Sequence, residues 1–545
     1  VTETPDVLIV GGGATGAGLL RDFARRGLRS LLVEKGDMGT GTSGRYHGLL
    51  HSGARYVAKD PIAARECIEE NRILRRIAPA SIEDTGGFFV ATPDDPVEYA
   101  EAFPTACAAA GIECEEISVA VALAQEPALD GGLRRVFRVP DAALEPWQLI
   151  EGNLADARRL GSAAWPYQRL VAMERGPSRI FGVTLRDERT GTVTRVAPRF
   201  VVSAAGAWAG QVASMAGVRL EMSPGKGTML VFNQRMTNTI VNRCHMPADA
   251  DIMVPVGTVA ILGTTEERVD DPDRYEIRRE EVEALLAEGE KLFPDIRRMR
   301  LLRAYAGVRP LYQASDPTSS DQHPEDTETR NVSRAHVVLD HATDGVENFV
   351  SIVGGKLTTY RLMAEQTADV VCVKLGLPAA CTTTEELLPG QDDGVHHWLG
   401  HRLAEHEASG GGDAALICEC ELVTLPRLER FLDEYWPCSL DDVRRGTRLG
   451  MGPCQGGFCT YRAAAVVMER ANGAAGELHS DPVELADAAL AAFVRERFKG
   501  TRPIAWGRQL QELWLAAGVY AGVLGVDTSS ATDESSALGS TDADR

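Results

Sequence analysis

The chain has 545 residues, 44% of them apolar and 25% charged, and because single hydrophobic cores stop growing at roughly 250–300 residues, two or three folded units are expected. A formal charge of −21 excludes a nucleic-acid partner, since phosphate backbones are held by an excess of lysine and arginine that is missing here. Eleven cysteines are too dilute for a secreted disulfide framework, and no run of about 18 apolar residues offers a membrane span, so the expectation is a cytoplasmic protein, or one held at a membrane through a partner.

Asp6 to Val10 is a short apolar run with β-branched residues, Ala14 to Arg26 carries apolar residues at helical spacing, and Ser30 to Glu34 reads as a second strand after Gly27. This βαβ unit encloses Gly11-x-Gly13-x-x-Gly16. Gly11 suits the tight turn, Gly13 lets the backbone approach a pyrophosphate, and Gly16 lets the helix lie close on the sheet. The helix N-terminus offers free N–H groups to phosphate, and Glu34, at the end of the second strand, is placed to accept from ribose hydroxyls. The pattern alone does not separate FAD from NAD. Further along, Phe200 to Ala204 and Phe349 to Val353 read as buried strands, the latter running into Gly354-Gly355-Lys356 and a helix from about Leu357. A second helix N-terminus aimed at the ligand would stabilise negative charge on a reduced flavin, which favours FAD.

The predicted fold class is α/β: a doubly wound, Rossmann-like FAD-binding domain, a mixed α+β substrate domain, and a small helical C-terminal cysteine-cluster module. The oxidoreductase region is expected over 1–385, with a discontinuous FAD-binding domain (about 1–85, 146–215 and 336–385) and a substrate domain over about 86–145 and 216–335. A linker rich in Gly, Asp, Glu and His (386–416) leads to the cysteine module (417–475), a helical segment (476–526) and a polar tail (527–545) read as disordered.

Arg55, Arg309 and Lys356 lie beside glycines, where the backbone can approach a small ligand, and a convergent set of cations suits a phosphate or carboxylate. Cys418-Glu419-Cys420 and Cys454-Gln455-Gly456-Gly457-Phe458-Cys459 supply two close pairs of thiols, which suit a [2Fe-2S] cluster or tetrahedral zinc. Intervals of one and four residues depart from the two that zinc knuckles favour. Cluster chemistry also matches a flavin, which gathers two electrons where a cluster passes one at a time. The other seven cysteines, Cys67, Cys107, Cys114, Cys244, Cys372, Cys381 and Cys438, read as small buried residues. His397 and His401 stand four apart in the linker and read as a solvated helix face.

Beyond these local readings, the glycine turn Gly11 to Gly16, the runs Gly48 to Tyr56, Asp249 to Ile252, Gly263-Thr264-Thr265, Gly307 to Leu311 and Gly354 to Leu357, and Pro503 to Gly507 together resemble the family of large, A-type subunits of anaerobic glycerol-3-phosphate dehydrogenase. The likeness runs from about residue 6 to about 520. The cysteine segment resembles the bacterioferritin-associated ferredoxin-like module of several flavoenzymes. The resemblance implies oxidation of sn-glycerol 3-phosphate to dihydroxyacetone phosphate. It implies Arg55, Tyr56, Arg309, Arg334 and Lys356 around the substrate phosphate and hydroxyls with Thr265 nearby, and His51 as general base, with Arg309 and Lys356 counted beside it as catalytic residues. Thr42, Ser43, Ala205, Gly206, Gly354 and Gly355 would join Gly11, Gly13, Gly16 and Glu34 at FAD, and Cys418, Cys420, Cys454 and Cys459 would hold a [2Fe-2S] cluster. Partner subunits of B and C type, a quinone acceptor and the inner face of the cell membrane follow from the same likeness, with any FMN on a partner. In the aerobic relatives the base histidine is followed by Gly-Gly, where this chain has Ser52-Gly53. Two other readings remain: an amine or amino-acid oxidising flavoprotein with the same cysteine module, and a non-catalytic electron-transfer protein.

Overall fold

In the computed structural model, the described residues are 4–312, 335–377, 379–391, 399–408, 415–436, 438–473 and 481–523. Arg334, His397 and the tail from 527 lie outside them.

The run Val7–Val10 is a fully buried strand at the centre of a six-stranded sheet, flanked by Ser30–Val33 and Phe200–Ser203. Ala163–Trp165 and Phe349–Gly354 extend it in parallel, and His336–Asp340 closes one edge antiparallel. Strands buried on both faces need apolar residues throughout, which is why these segments are continuous apolar runs rather than alternating ones. Helices Ala14–Arg25, Pro146–Arg159 and Tyr360–Leu375 cover one face around Leu20, Phe23 and Tyr360. The other face is covered by a three-stranded antiparallel sheet and a short helix, with Leu8, Val10, Val183 and Val212 between the layers.

A nine-stranded sheet forms the second unit, and its strand Gly225–Phe232 pairs antiparallel with Leu301–Arg309. Helix Arg279–Glu290 covers one face through Val282, Leu285 and Leu286. Gly307 lets the loop after the first βαβ unit lie directly on that sheet, because a Cβ there would sit 2.0 Å from the Arg45 carbonyl oxygen. The far end of the strand carrying Arg309 is thereby fixed against the nucleotide domain.

The C-terminal unit is built from the hairpin Leu416–Cys418/Val423–Thr424 and helices Leu425–Tyr435, Leu440–Thr447, Cys459–Gly473 and Pro482–Phe498. Its core runs past residue 475, where the sequence reading sets the edge of the cysteine module: Leu490, Phe493 and Phe498 share a cluster with Cys418 and Val467. Helix Pro482–Phe498 is therefore part of the same folded unit. Arg445 bonds Asp37 at 2.7 Å and Arg448 bonds Glu145 at 2.6 Å, which ties this unit to the nucleotide domain. Among the described residues no helix is long and apolar enough to cross a membrane. Cys67, Cys107, Cys244 and Cys372 are buried as expected, whereas Cys114, Cys381 and Cys438 are only partly so. Cys381 Sγ lies 3.1 Å from the Thr383 hydroxyl.

Candidate active site

The glycine turn has the geometry its spacing calls for. Gly11 sits at φ +114, in the left-handed region, and a Cβ on Gly16 would stand 1.9 Å from the Gly11 carbonyl oxygen. Gly13 caps helix Ala14–Arg25 without a side-chain hydrogen bond, and the first turn carries no acidic residue. Ser43 Oγ accepts from the Ala14 amide at 3.0 Å. Glu34 accepts from the Gly12 amide (2.7 Å) and the Gly36 amide (2.9 Å), so its carboxylate braces the turn from the second strand. A helix start of this kind, free of negative side chains, fits a pyrophosphate. Thr42 donates to the Val308 carbonyl at 2.6 Å, which joins this loop to the strand bearing Arg309. Ala205 and Gly206 open the short turn after Phe200–Ser203, and a Cβ on Gly11 would meet the Ala204 carbonyl oxygen at 2.5 Å.

The second glycine turn faces the same region. Gly354 and Gly355 take φ +76 and +75, and added Cβ atoms would meet the Ala335 oxygen and Met363 Sδ at 2.3 Å each. The Gly354 amide donates to the Pro310 carbonyl at 3.0 Å, which places Lys356 beside the segment after Arg309. Lys356 Nζ lies 4.7 Å from the centre of the Tyr56 ring, a cation–π contact. Tyr56 stands 5.3 Å from His51, and the His51 amide donates to Thr358 Oγ1 at 3.1 Å. His51 is 9% exposed. Ser52 in place of a first glycine costs nothing here: its amide donates to Asp141 at 2.7 Å and only Gly53, at φ +97, needs the left-handed conformation.

Arg55 is held by a residue 196 positions away: Nη2 donates to Asp251 at 2.8 Å and to the Ala248 carbonyl at 3.3 Å, while Nη1 is buried without a hydrogen-bond partner among the described residues. Burial favours the neutral Asp251 carboxyl, but the Arg55 charge, the His245 ring at 2.8 Å and the Ala248 amide outweigh it and hold the group down at about 2. Arg309 donates to Thr264 Oγ1, to the Thr265 carbonyl (3.2 Å) and to the Lys226 carbonyl (3.4 Å). Thr265 contributes through this carbonyl, while its hydroxyl accepts from the Thr228 amide at 3.0 Å and donates to Glu281 at 3.2 Å. Glu281 in turn takes Thr228 Oγ1 (2.8 Å) and Lys226 Nζ (3.0 Å), so a satisfied buried network fixes the arginine.

Local sequence patterns give no sign of Asp251's pairing with Arg55, of the Glu281–Lys226 support or of a role for His47. His47 lies 5.7 Å from His51 in a T-shaped pair. Burial, then the charges of Arg55 and Arg309, push its ring down to about 3. Arg55, Arg309, Lys356, Tyr56, His47 and His51 thus form one neighbourhood at the end of the nucleotide domain.

The four C-terminal cysteines meet as two thiol pairs. Cys459 hydrogen-bonds Cys418, lowering the Cys418 thiol to about 7, and Cys420 contacts Cys454. Among the described residues no three His, Cys, Asp or Glu side chains gather as a site for a metal ion.

Residues 6–368 match the family model of the FAD dependent oxidoreductases. The chain is 41% identical over 547 residues to the A-type subunit of anaerobic glycerol-3-phosphate dehydrogenase from Escherichia coli (strain K12), covering 96% of this chain and 98% of the relative. It is 39% identical to the A1-type subunit of the same enzyme from Haloferax volcanii, over 96% and 91% of the two chains. In fold it is similar to glycerol-3-phosphate dehydrogenase from Bacillus halodurans complexed with FAD, with TM-score 0.55 and 20% identity over 97% of this chain and 92% of that one. The chain belongs to the FAD-dependent oxidoreductase family and, within it, to the family of A-type subunits of anaerobic glycerol-3-phosphate dehydrogenase.

Proposed function

We propose that the chain oxidises sn-glycerol 3-phosphate at C2 to dihydroxyacetone phosphate. The observation that carries this reading is the gathering of Arg55, Arg309 and Lys356 around two imidazoles beside the turn that fits the FAD pyrophosphate. When bound, FAD supplies the acceptor for the C2 hydride at N5. The chain's own residues do the rest. Arg55 and Arg309, each braced by a buried partner, hold the phosphate away from the reacting carbon, so binding energy there orients the C2–H bond. Lys356 adds a point charge, and Tyr56 sets its direction through the ring contact. His51 takes the hydroxyl proton, a step in which a positioned base contributes about 10²- to 10⁴-fold.

The cysteine pairs Cys418/Cys459 and Cys420/Cys454 are assigned to a [2Fe-2S] cluster. What supports this is the donor set: two thiol pairs offer two ligands to each of two irons, whereas one zinc ion needs four sulfurs about a single point. The cluster would accept electrons from the flavin and hand them to B- and C-type partner subunits and quinone at the inner face of the cell membrane, with any FMN on a partner. The relatives are named as A-type subunits, which favours such an assembly.

Anaerobic titration of the FAD-loaded chain with glycerol 3-phosphate, beside a panel of amino acids, tests the substrate. Bleaching of the flavin band by glycerol 3-phosphate alone is the expected result. Bleaching by an amino acid instead, or by neither, overturns the assignment. Iron and sulfide assayed on the same sample, with about two of each per chain expected, test the cluster, and zinc without sulfide refutes it.

A further inference from the structure

We propose that His47 is a third donor to the substrate anion, a neutral imidazole that presents its Nε2–H to the ligand held between Arg55 and Arg309. The proposal deepens the reading above and rests on those two guanidiniums taking the phosphate.

The tautomer follows from one contact. The Leu49 amide donates to His47 Nδ1 at 3.2 Å, and a backbone amide can only donate, so Nδ1 carries the lone pair and the ring's single proton sits on Nε2. The charge state follows from the surroundings. The ring lies in contact with Tyr46 and His51, each at 5.7 Å between centroids, and the charges acting on it are those of Arg55, from its own segment, and Arg309, from the facing strand. Burial and two positive neighbours both disfavour an imidazolium, so the ring stays neutral across the range in which enzymes work.

A neutral donor within the field of two guanidiniums has a clear use. A phosphate dianion has more lone pairs than two arginines fill, and an extra N–H adds a hydrogen bond without a charge that titrates near pH 7. The same geometry removes His47 as a competitor for the C2 hydroxyl proton, because its one lone pair is already occupied by the Leu49 amide. His51, four residues on, is left as the base, and two adjacent histidines divide the work of binding and proton transfer.

The test uses the full-length, FAD-loaded chain with inorganic phosphate as the probe, its binding followed by the shift of the flavin spectrum. His47→Phe, which has no donor, should weaken phosphate binding about 10- to 100-fold, the loss expected for a hydrogen bond to a charged group. His47→Asn, which keeps an N–H, should recover most of that loss. In ¹⁵N-histidine spectra the resonances that vanish in His47→Asn should show the Nε2–H tautomer with no protonation step between about pH 5 and 9. Wild-type phosphate affinity in His47→Phe, equal losses in both variants, or a ring that titrates in that range each overturns the proposal. The spectra decide the question even if the phenylalanine variant fails to fold. Should phosphate binding depend on His47 while glycerol 3-phosphate leaves the flavin oxidised, the substrate assignment falls and the donor assignment stands.

Discussion

Replacing Asp251 by asparagine removes the charge that braces Arg55 while keeping the size of the side chain. Asp251 is 0% exposed and accepts from Arg55, His245 and the Ala248 amide. Its carboxyl is held at about 2 against an ordinary 3.8, which corresponds to about 2 kcal/mol of folding stability at neutral pH. Because the folded-state value is depressed, that contribution is present above about pH 4 and is lost as pH falls through about 2. Breaking a buried pair from one side costs about 3–5 kcal/mol, and the Arg55 side chain, 13% exposed, sets the expected loss for Asp251→Asn near 3. With Nη1 already lacking a partner among the described residues, the guanidinium would also lose its aim. Urea unfolding at pH 7, followed by tryptophan fluorescence, should show the stability loss, and wild type and variant should converge as pH approaches 2. The Michaelis constant for glycerol 3-phosphate should rise about 10-fold or more, with a smaller change in kcat. A stability loss under about 1 kcal/mol together with an unchanged Michaelis constant would refute the proposed bracing.

Gly16→Ala sets a Cβ against backbone, and the purified variant should carry less than about a tenth of the wild-type flavin, read from its visible spectrum. His51→Asn should lower kcat about 10²- to 10⁴-fold with little change in phosphate binding, measured by stopped-flow flavin reduction. Glu281→Gln weakens the support of Lys226, Thr228 and Thr265 behind Arg309; kcat/KM should fall about 10-fold, and an unchanged value would show that Arg309 holds its place without it. Cys454→Ser should lose most of the iron and sulfide while keeping its flavin.

The glycine turns are legible in the sequence because their cause is local: Gly11, Gly16, Gly354 and Gly355 each occupy a place where a Cβ meets backbone or a neighbouring side chain, and the spacing alone announces it. The parallel sheet is legible for a similar reason, since strands buried on both faces must be apolar throughout. The support of the cations is not. Asp251 reaches Arg55 across 196 positions, and the carboxylate behind Arg309's network arrives on helix Arg279–Glu290, where no local pattern marks it as a partner of Thr265 or Lys226. Glu34 shows a subtler limit: a carboxylate expected to serve a ribose also accepts from the amides of Gly12 and Gly36, because the backbone it lies against has donors of its own. His47 opens the polar segment that runs to Tyr56, but nothing in that pattern assigns it a role, and only the approach of Arg55 and Arg309 gives it one. Among the cysteines the spacing announces the two pairs along the chain, yet the contacts cross between them, Cys418 with Cys459 and Cys420 with Cys454, as the hairpin and the helix of Cys459–Gly473 come together.

The central claim, that an anionic alcohol is held by these cations with its C2 hydrogen aimed at the flavin, is tested most directly by anaerobic stopped-flow reduction of the FAD-loaded chain with glycerol 3-phosphate carrying deuterium at C2. Loss of the flavin band, slowed by the deuterium in wild type and abolished in Arg309→Ala, is the predicted result. A flavin that stays oxidised, or a rate indifferent to both the deuterium and the arginine, would contradict it.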